Sequence, residues 1–143
     1  MVKNSQVVFA DGKEVALKAL FGSSNFGYLA LGYESSEDNG FEDGQDRTDS
    51  AKGFKELTNE QDSSYERIAL SYFETATDPD TSDVIVRFKA TLPATNITGH
   101  SLNQMAVYDS AEIGTGNMYS ATTYPTFNKT QLSSITFVVG FKM

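Results

Sequence analysis

Two stretches of the chain alternate apolar and polar side chains with the period of a half-buried β-strand. From Asp83 to Leu92, Val84, Val86, Phe88, Ala90 and Leu92 fall at every second position, and Arg87, Lys89 and Thr91 take most of the places between. Ser134 to Lys142 repeats the pattern, with Ile135, Phe137, Val139 and Phe141 on one face and Thr136, Val138, Gly140 and Lys142 on the other. Each strand is expected to turn one face to a core and the other to water, with Arg87 and Lys89 pointing outward. Both are assigned to the middle of a sheet.

The remaining periodicity predicts shorter elements. Gln6 to Phe9 reads as an edge strand. Asp11 followed by Glu14 has the spacing of a capping box, and Leu17, Leu20 and Phe21 stand at i, i+3 and i+4, while Glu14 and Lys18 form an i, i+4 pair. With Gly22 as the stop, a short helix over Gly12 to Phe21 is expected to lie on a sheet. Phe26 to Tyr33 is apolar on both sides, as in a strand covered by a sheet partner and by the helix, and Gly27 and Gly32 mark bulges or the close approach of another backbone. Tyr65 to Thr75 is a strand with Ile68, Leu70 and Tyr72 opposite Arg67, Ala69 and Ser71. The turn formers of Thr77 to Ser82 join it to Asp83 to Leu92 as a hairpin. Further strands are expected over Leu102 to Tyr108, with Met105 and Val107 facing away from Ala106 and Tyr108, and over Met118 to Thr123. Asp109 to Asn117 turns between them, and Tyr124 to Thr130 crosses over with Pro125 before the last strand. No repeat recurs, and the predicted fold is mainly β: an antiparallel β-sandwich-like domain, single over residues 1–143, with one short N-terminal helix.

Composition narrows the partners. A net charge of -8 opposes a phosphate-backbone ligand, so nucleic acid is not expected. No stretch has the length of a membrane span, the N-terminus has no signal-peptide core, and there is no cysteine for disulfides, thiolate chemistry or thiolate metal sites. Between Glu34 and Lys52 acidic residues gather among Ser, Gly and Asn as a long loop. Glu37, Asp38, Glu42, Asp43 and Asp46 are the candidate ligands should that loop hold a hard cation such as calcium; the alternative is a solvated loop. An EF-hand does not fit, since Phe41 occupies a position that needs an oxygen ligand. His100 is the single histidine, expected on an exposed loop, and no G-x-S-x-G is present. No catalytic residue and no cofactor is therefore assigned, and the chain is read as a non-enzyme. With seven Tyr and ten Phe, the aromatic side chains that face outward are the natural anchors for a protein partner. Phe41 and Tyr124, with Arg87 and Lys89, are the interaction candidates.

The order of segments resembles small virion structural proteins of tailed bacteriophages, of the head-associated or tail-fibre kind. The resemblance is carried by KALFG at Lys18 to Gly22, then YLALGY, an inserted polar loop, and YERIAL at Tyr65 to Leu70. It continues through AVYDSAEIGTGNMYSATTYP and the final SSITFVVGFKM, and so covers roughly Gly12 to Met143. The long acidic loop and Gly116-Asn117, in place of a more glycine-rich turn, depart from the pattern. The resemblance implies a β domain made in the host cytoplasm that assembles into the particle, as a homo-oligomer contacting other capsid or tail subunits. A head decoration or cement protein on the capsid shell is the first expectation. A tail-fibre or baseplate component for host attachment is the second, and a cellular binding domain or small hydrolase the third.

Overall fold

A computed structural model describes residues 9–21, 25–35 and 53–143. The element order is α1 (Ala10–Leu20), β1 (Tyr28–Gly32), β2 (Ile68–Ala69), β3 (Ser71–Thr77), β4 (Val84–Leu92), β5 (Ser101–Tyr108), β6 (Met118–Asn128) and β7 (Ile135–Lys142). The strands form a four-stranded sheet, β2-β1-β5-β6, and a three-stranded sheet, β3-β4-β7, in which every pairing is antiparallel. Side chains of both sheets and of the helix share one apolar core, giving a mainly β, sandwich-like arrangement with one short helix.

The alternation of Val84 to Leu92 places Val84, Val86, Phe88, Ala90 and Leu92 inside, and β4 is the central strand of its sheet. β7 obeys the same alternation but is an edge strand, contrary to its expected central position. Alternation reports which face is buried, not how many neighbours a strand has. The hairpin between β3 and β4 forms as expected, closed by the bond from the Asp78 amide to the Asp83 carbonyl.

The helix starts two residues earlier than expected, and no capping box forms. Phe9 is the N-cap without a side-chain bond, and Asp11 lies within the first turn. Glu14 instead makes the expected ion pair with Lys18 at 3.0 Å and accepts a bond from the Thr75 hydroxyl of β3 at 3.1 Å. Leu17 and Phe21 enter the core, while Leu20 stays peripheral. Phe21, fully buried, lies flat on Phe141 with ring centroids 3.5 Å apart and meets Tyr119 edge-on at 4.7 Å. One aromatic side chain thus joins the helix to both sheets.

Four further expectations are corrected. The segment Tyr65 to Thr75 is not one strand: β2 pairs with β1, and after Leu70 the chain moves to the other sheet, where β3 pairs with β4. Arg67, expected on the wet side, is buried. β6 does not end at Thr123 but runs through Pro125 to Asn128; Pro125 is tolerated because β6 is an edge strand with a register break between Leu102 and Gln104 of β5. The outer side of β1 is approached by the chain around Lys55 rather than by the helix. A side chain at Gly32 would collide with the Lys55 carbonyl, which is the close backbone approach its sequence position suggested. Of the expected edge strand Gln6 to Phe9, only Phe9 is described, and it is not in a strand; the rest lies outside the described residues.

Candidate functional site

β5 carries two consecutive buried amides, Asn103 and Gln104, inside an otherwise apolar run. They hold the two ends of the acidic segment. The Asn103 Oδ1 accepts from the Glu34 amide at 2.9 Å, and its Nδ2 donates to the Glu34 carbonyl at 2.6 Å and to the Thr126 hydroxyl at 3.0 Å. Gln104 accepts from the Lys55 amide at 3.0 Å and donates to the Gly53 carbonyl at 2.7 Å. Lys55 closes the neck with an ion pair to Glu34 at 2.5 Å, and the Tyr33 amide donates to the Lys55 carbonyl. A buried amide left without these partners would be costly, so the neck geometry is strongly specified. Residues 36–52, among them Phe41 and the cation candidates Glu37, Asp38, Glu42, Asp43 and Asp46, lie outside the described residues.

A second polar centre stands beside the neck. Arg67 donates through Nε and Nη2 to the two oxygens of Glu56, both at 2.9 Å, in a bidentate pair. Its Nη1 reaches the Ser110 and Thr115 carbonyls at 2.8 and 2.9 Å, and its plane lies 3.7 Å over the Tyr108 ring. Burial opposes the guanidinium charge, but the bonds to Glu56 more than offset it and hold the group above its usual range. Tyr65 donates to the same carboxylate at 2.5 Å and accepts from the Leu31 amide at 3.1 Å. β2 pairs only with Tyr28 and Leu29, so the Tyr65 hydroxyl takes the place of a strand partner for Leu31.

Burial, followed by the Glu56 charge, raises the Tyr65 and Tyr108 hydroxyls above their ordinary range, and burial raises that of Tyr124. A group whose folded pKa is raised adds stability in full below its unfolded pKa, about 10 for tyrosine. That stability drains as pH rises toward the folded value, because only the unfolded chain can release the proton. The melting temperature is therefore expected to hold to about pH 9 and to fall between about pH 10 and 11. In Tyr65→Phe the alkaline fall should be shallower, from a lower starting stability. A flat melting profile across that range, followed by circular dichroism, would contradict this assignment.

Lys129 is another buried polar side chain among the described residues, its ammonium bonded to the Ala94 and Thr130 carbonyls at 2.7 and 3.0 Å. Nearby, His100 is not an open loop side chain: its Nε2 lies 3.1 Å from Asp62 Oδ2, and the Ser64 hydroxyl donates to Asp62 Oδ1 at 2.5 Å. The carboxylate sits between serine and imidazole, so the imidazole cannot take the serine proton. Nucleophile activation needs the opposite order. The bonds from Ser64 are the first cause of the lowered Asp62 pKa, with the His100 charge contributing less.

The sequence-derived interaction candidates are dispersed. Arg87 and Lys89 do face outward from β4; Arg87 pairs with Glu74 at 3.1 Å, and the Lys89 ammonium stands 5.5 Å from the centre of the exposed Phe73 ring. Tyr124, in contrast, is turned inward, stacked on Phe127, packed near Phe137, and donating to the Gln104 carbonyl at 3.2 Å. It is a wall of the core rather than an outward anchor. Among the described residues, no group of three or more His, Cys, Asp or Glu side chains is arranged to hold a metal ion, and no helix is long and apolar enough to cross a membrane. Comparison with protein-family models, with curated proteins and with solved structures finds no match to this chain.

Proposed function

We propose that this chain is a structural protein of a tailed-bacteriophage virion, most specifically an auxiliary head protein that binds the capsid shell as decoration or cement. The observation that carries the reading is how the buried polar side chains are used. Arg67, Asn103, Gln104 and Lys129, the buried polar residues among those described, all bond main-chain groups of connecting segments. They fix loop stems on a sandwich scaffold rather than converging on a place where a substrate could sit. A rigid platform with shaped loops is the build of a docking module. The resemblance of the segment order to small virion proteins, read from the sequence alone, suggests the setting, and the exposed Phe73 and Val138 beside Arg87 and Lys89 supply contact chemistry on the outer face of β3-β4-β7.

Quantitative mass spectrometry of purified particles of the phage that encodes the chain tests the proposal. A decoration protein is expected at a copy number comparable with the major shell subunit, and at a small number per particle the tail or baseplate reading replaces it. Absence of the chain from purified particles overturns the virion assignment.

A further inference from the structure

Among the described residues there are four sheet edges, and only one of them is open to pairing along its length. At β3 the register breaks between Tyr72 and Glu74, leaving Phe73 out of the ladder. At β6 two register breaks and Pro125 interrupt the edge. β2 has two residues, and beyond it Leu31 is already bonded by Tyr65 and by the Leu57 amide. Bulges, prolines and very short strands are the devices by which edges are blunted. β7 has none of them. It pairs with β4 without a break from Ile85↔Lys142 to Leu92↔Ile135.

The hydrogen-bonding phase of β7 follows from its end. Met143 and Val84 exchange both backbone bonds, so by antiparallel alternation Phe141, Val139, Phe137 and Ile135 turn their backbone groups toward β4. Thr136, Val138, Gly140 and Lys142 turn theirs outward, and among the described residues no strand meets them.

We infer that the β7 edge is an interface with a second copy of this chain, paired antiparallel about a twofold axis at Val138. The strand is complementary to itself in that register. Val138 meets Val138 of the other copy, Gly140 meets Thr136, and Lys142 meets Ser134, so no like charges stand opposite one another despite the net charge of -8. Gly140, flanked by Ile85 and Arg87 of its own sheet, has no side chain to crowd the facing Thr136. On the inner side Phe137 meets Val139 and Ile135 meets Phe141, which continues the core-facing row of each copy. The pairing forms about six backbone hydrogen bonds over Thr136 to Gly140 alone. It is isologous, so it closes on itself and leaves no second β7 edge to propagate a filament. This inference rests on strand geometry and stands whether or not the chain belongs to a virion.

Sedimentation and light scattering are expected to show a species near twice 15.6 kDa. Val138→Lys, which brings two ammonium groups face to face on an exposed position, should convert it to monomer with an unchanged circular dichroism spectrum. The chain has no native cysteine, so Val138→Cys provides a direct reading. Under mild oxidation it should form a covalent dimer at least about tenfold faster than an Ala76→Cys control on β3, because the twofold holds the two thiols together. The cysteine pair decides the matter if the lysine variant does not fold. A wild-type chain that stays monomeric up to about 100 µM, or Val138→Cys cross-linking no faster than the control, overturns the assignment.

Discussion

Arg67→Leu is expected to destabilise the fold by about 3–5 kcal/mol, the usual cost of breaking a buried ion pair by removing one partner. The guanidinium is 1% exposed and bidentate to Glu56, whose side chain is itself 11% exposed, so the carboxylate would keep its burial and lose its counter-charge. The Ser110 and Thr115 carbonyls would be orphaned as well, and with them the tie that holds the β5–β6 turn against the neck. For a chain of this size the melting temperature should fall by roughly 10–15 °C. The double variant Arg67→Leu, Glu56→Leu should recover part of the loss, because removing both charges also removes the desolvated carboxylate. Urea unfolding of the two variants measures both quantities, and a single-variant loss below about 1 kcal/mol would show that the pair contributes no more than an exposed one.

Phe21→Ala should cost about 3–5 kcal/mol, the range for truncating a fully buried phenylalanine. The ring joins the helix to the Phe141 and Phe88 side chains of one sheet and to Tyr119 of the other, so its removal opens a cavity where three layers meet. Loss of the near-ultraviolet dichroism of the aromatic cluster and faster proteolysis of the helix should accompany the loss of stability. Leu20→Ala, a truncation on the same turn at a side chain 37% exposed, should change stability by less than about 0.5 kcal/mol. Equal effects of the two substitutions would mean that the helix does not dock through Phe21.

The strands that alternate cleanly were legible in the sequence because alternation is a one-dimensional consequence of one buried face. β4, β7 and the β3–β4 hairpin follow from it, as does the mainly β class. Where a residue is buried by something other than its own strand's core face, the pattern misleads. Arg67 reads as a solvated position because arginine is rarely buried unless paired, and its partner Glu56 sits in a segment with no periodic signal. Asn103 and Gln104 interrupt an apolar run in a way that alternation does not explain. The interruption was itself the signal, since two adjacent amides cannot both face water from a strand whose two faces are covered.

The candidate site shows the same division. Outward positions such as Arg87 and Lys89 could be read from period and residue type. Tyr124 could not, because beside the register break at Asn103 its ring turns toward Phe137. The helix cap failed for a related reason. A capping box is a local bond of about 1 kcal/mol, and here the helix begins ahead of Asp11, with Glu14 bonded to Lys18 and to Thr75 of β3.

What the sequence determined by itself was the faces of the cleanly alternating strands β4 and β7, the turn between β3 and β4, and that a short amphipathic helix accompanies the sheets. Only the tertiary structure decided neighbours. It made β4 central and β7 an edge, divided one expected strand between two sheets at Leu70, and brought Glu56 to Arg67 and both ends of the acidic segment to Asn103 and Gln104. The physical reason is that burial pattern depends on local periodicity, whereas strand order and buried polar pairing depend on contacts between residues distant in the chain, for which no local period exists.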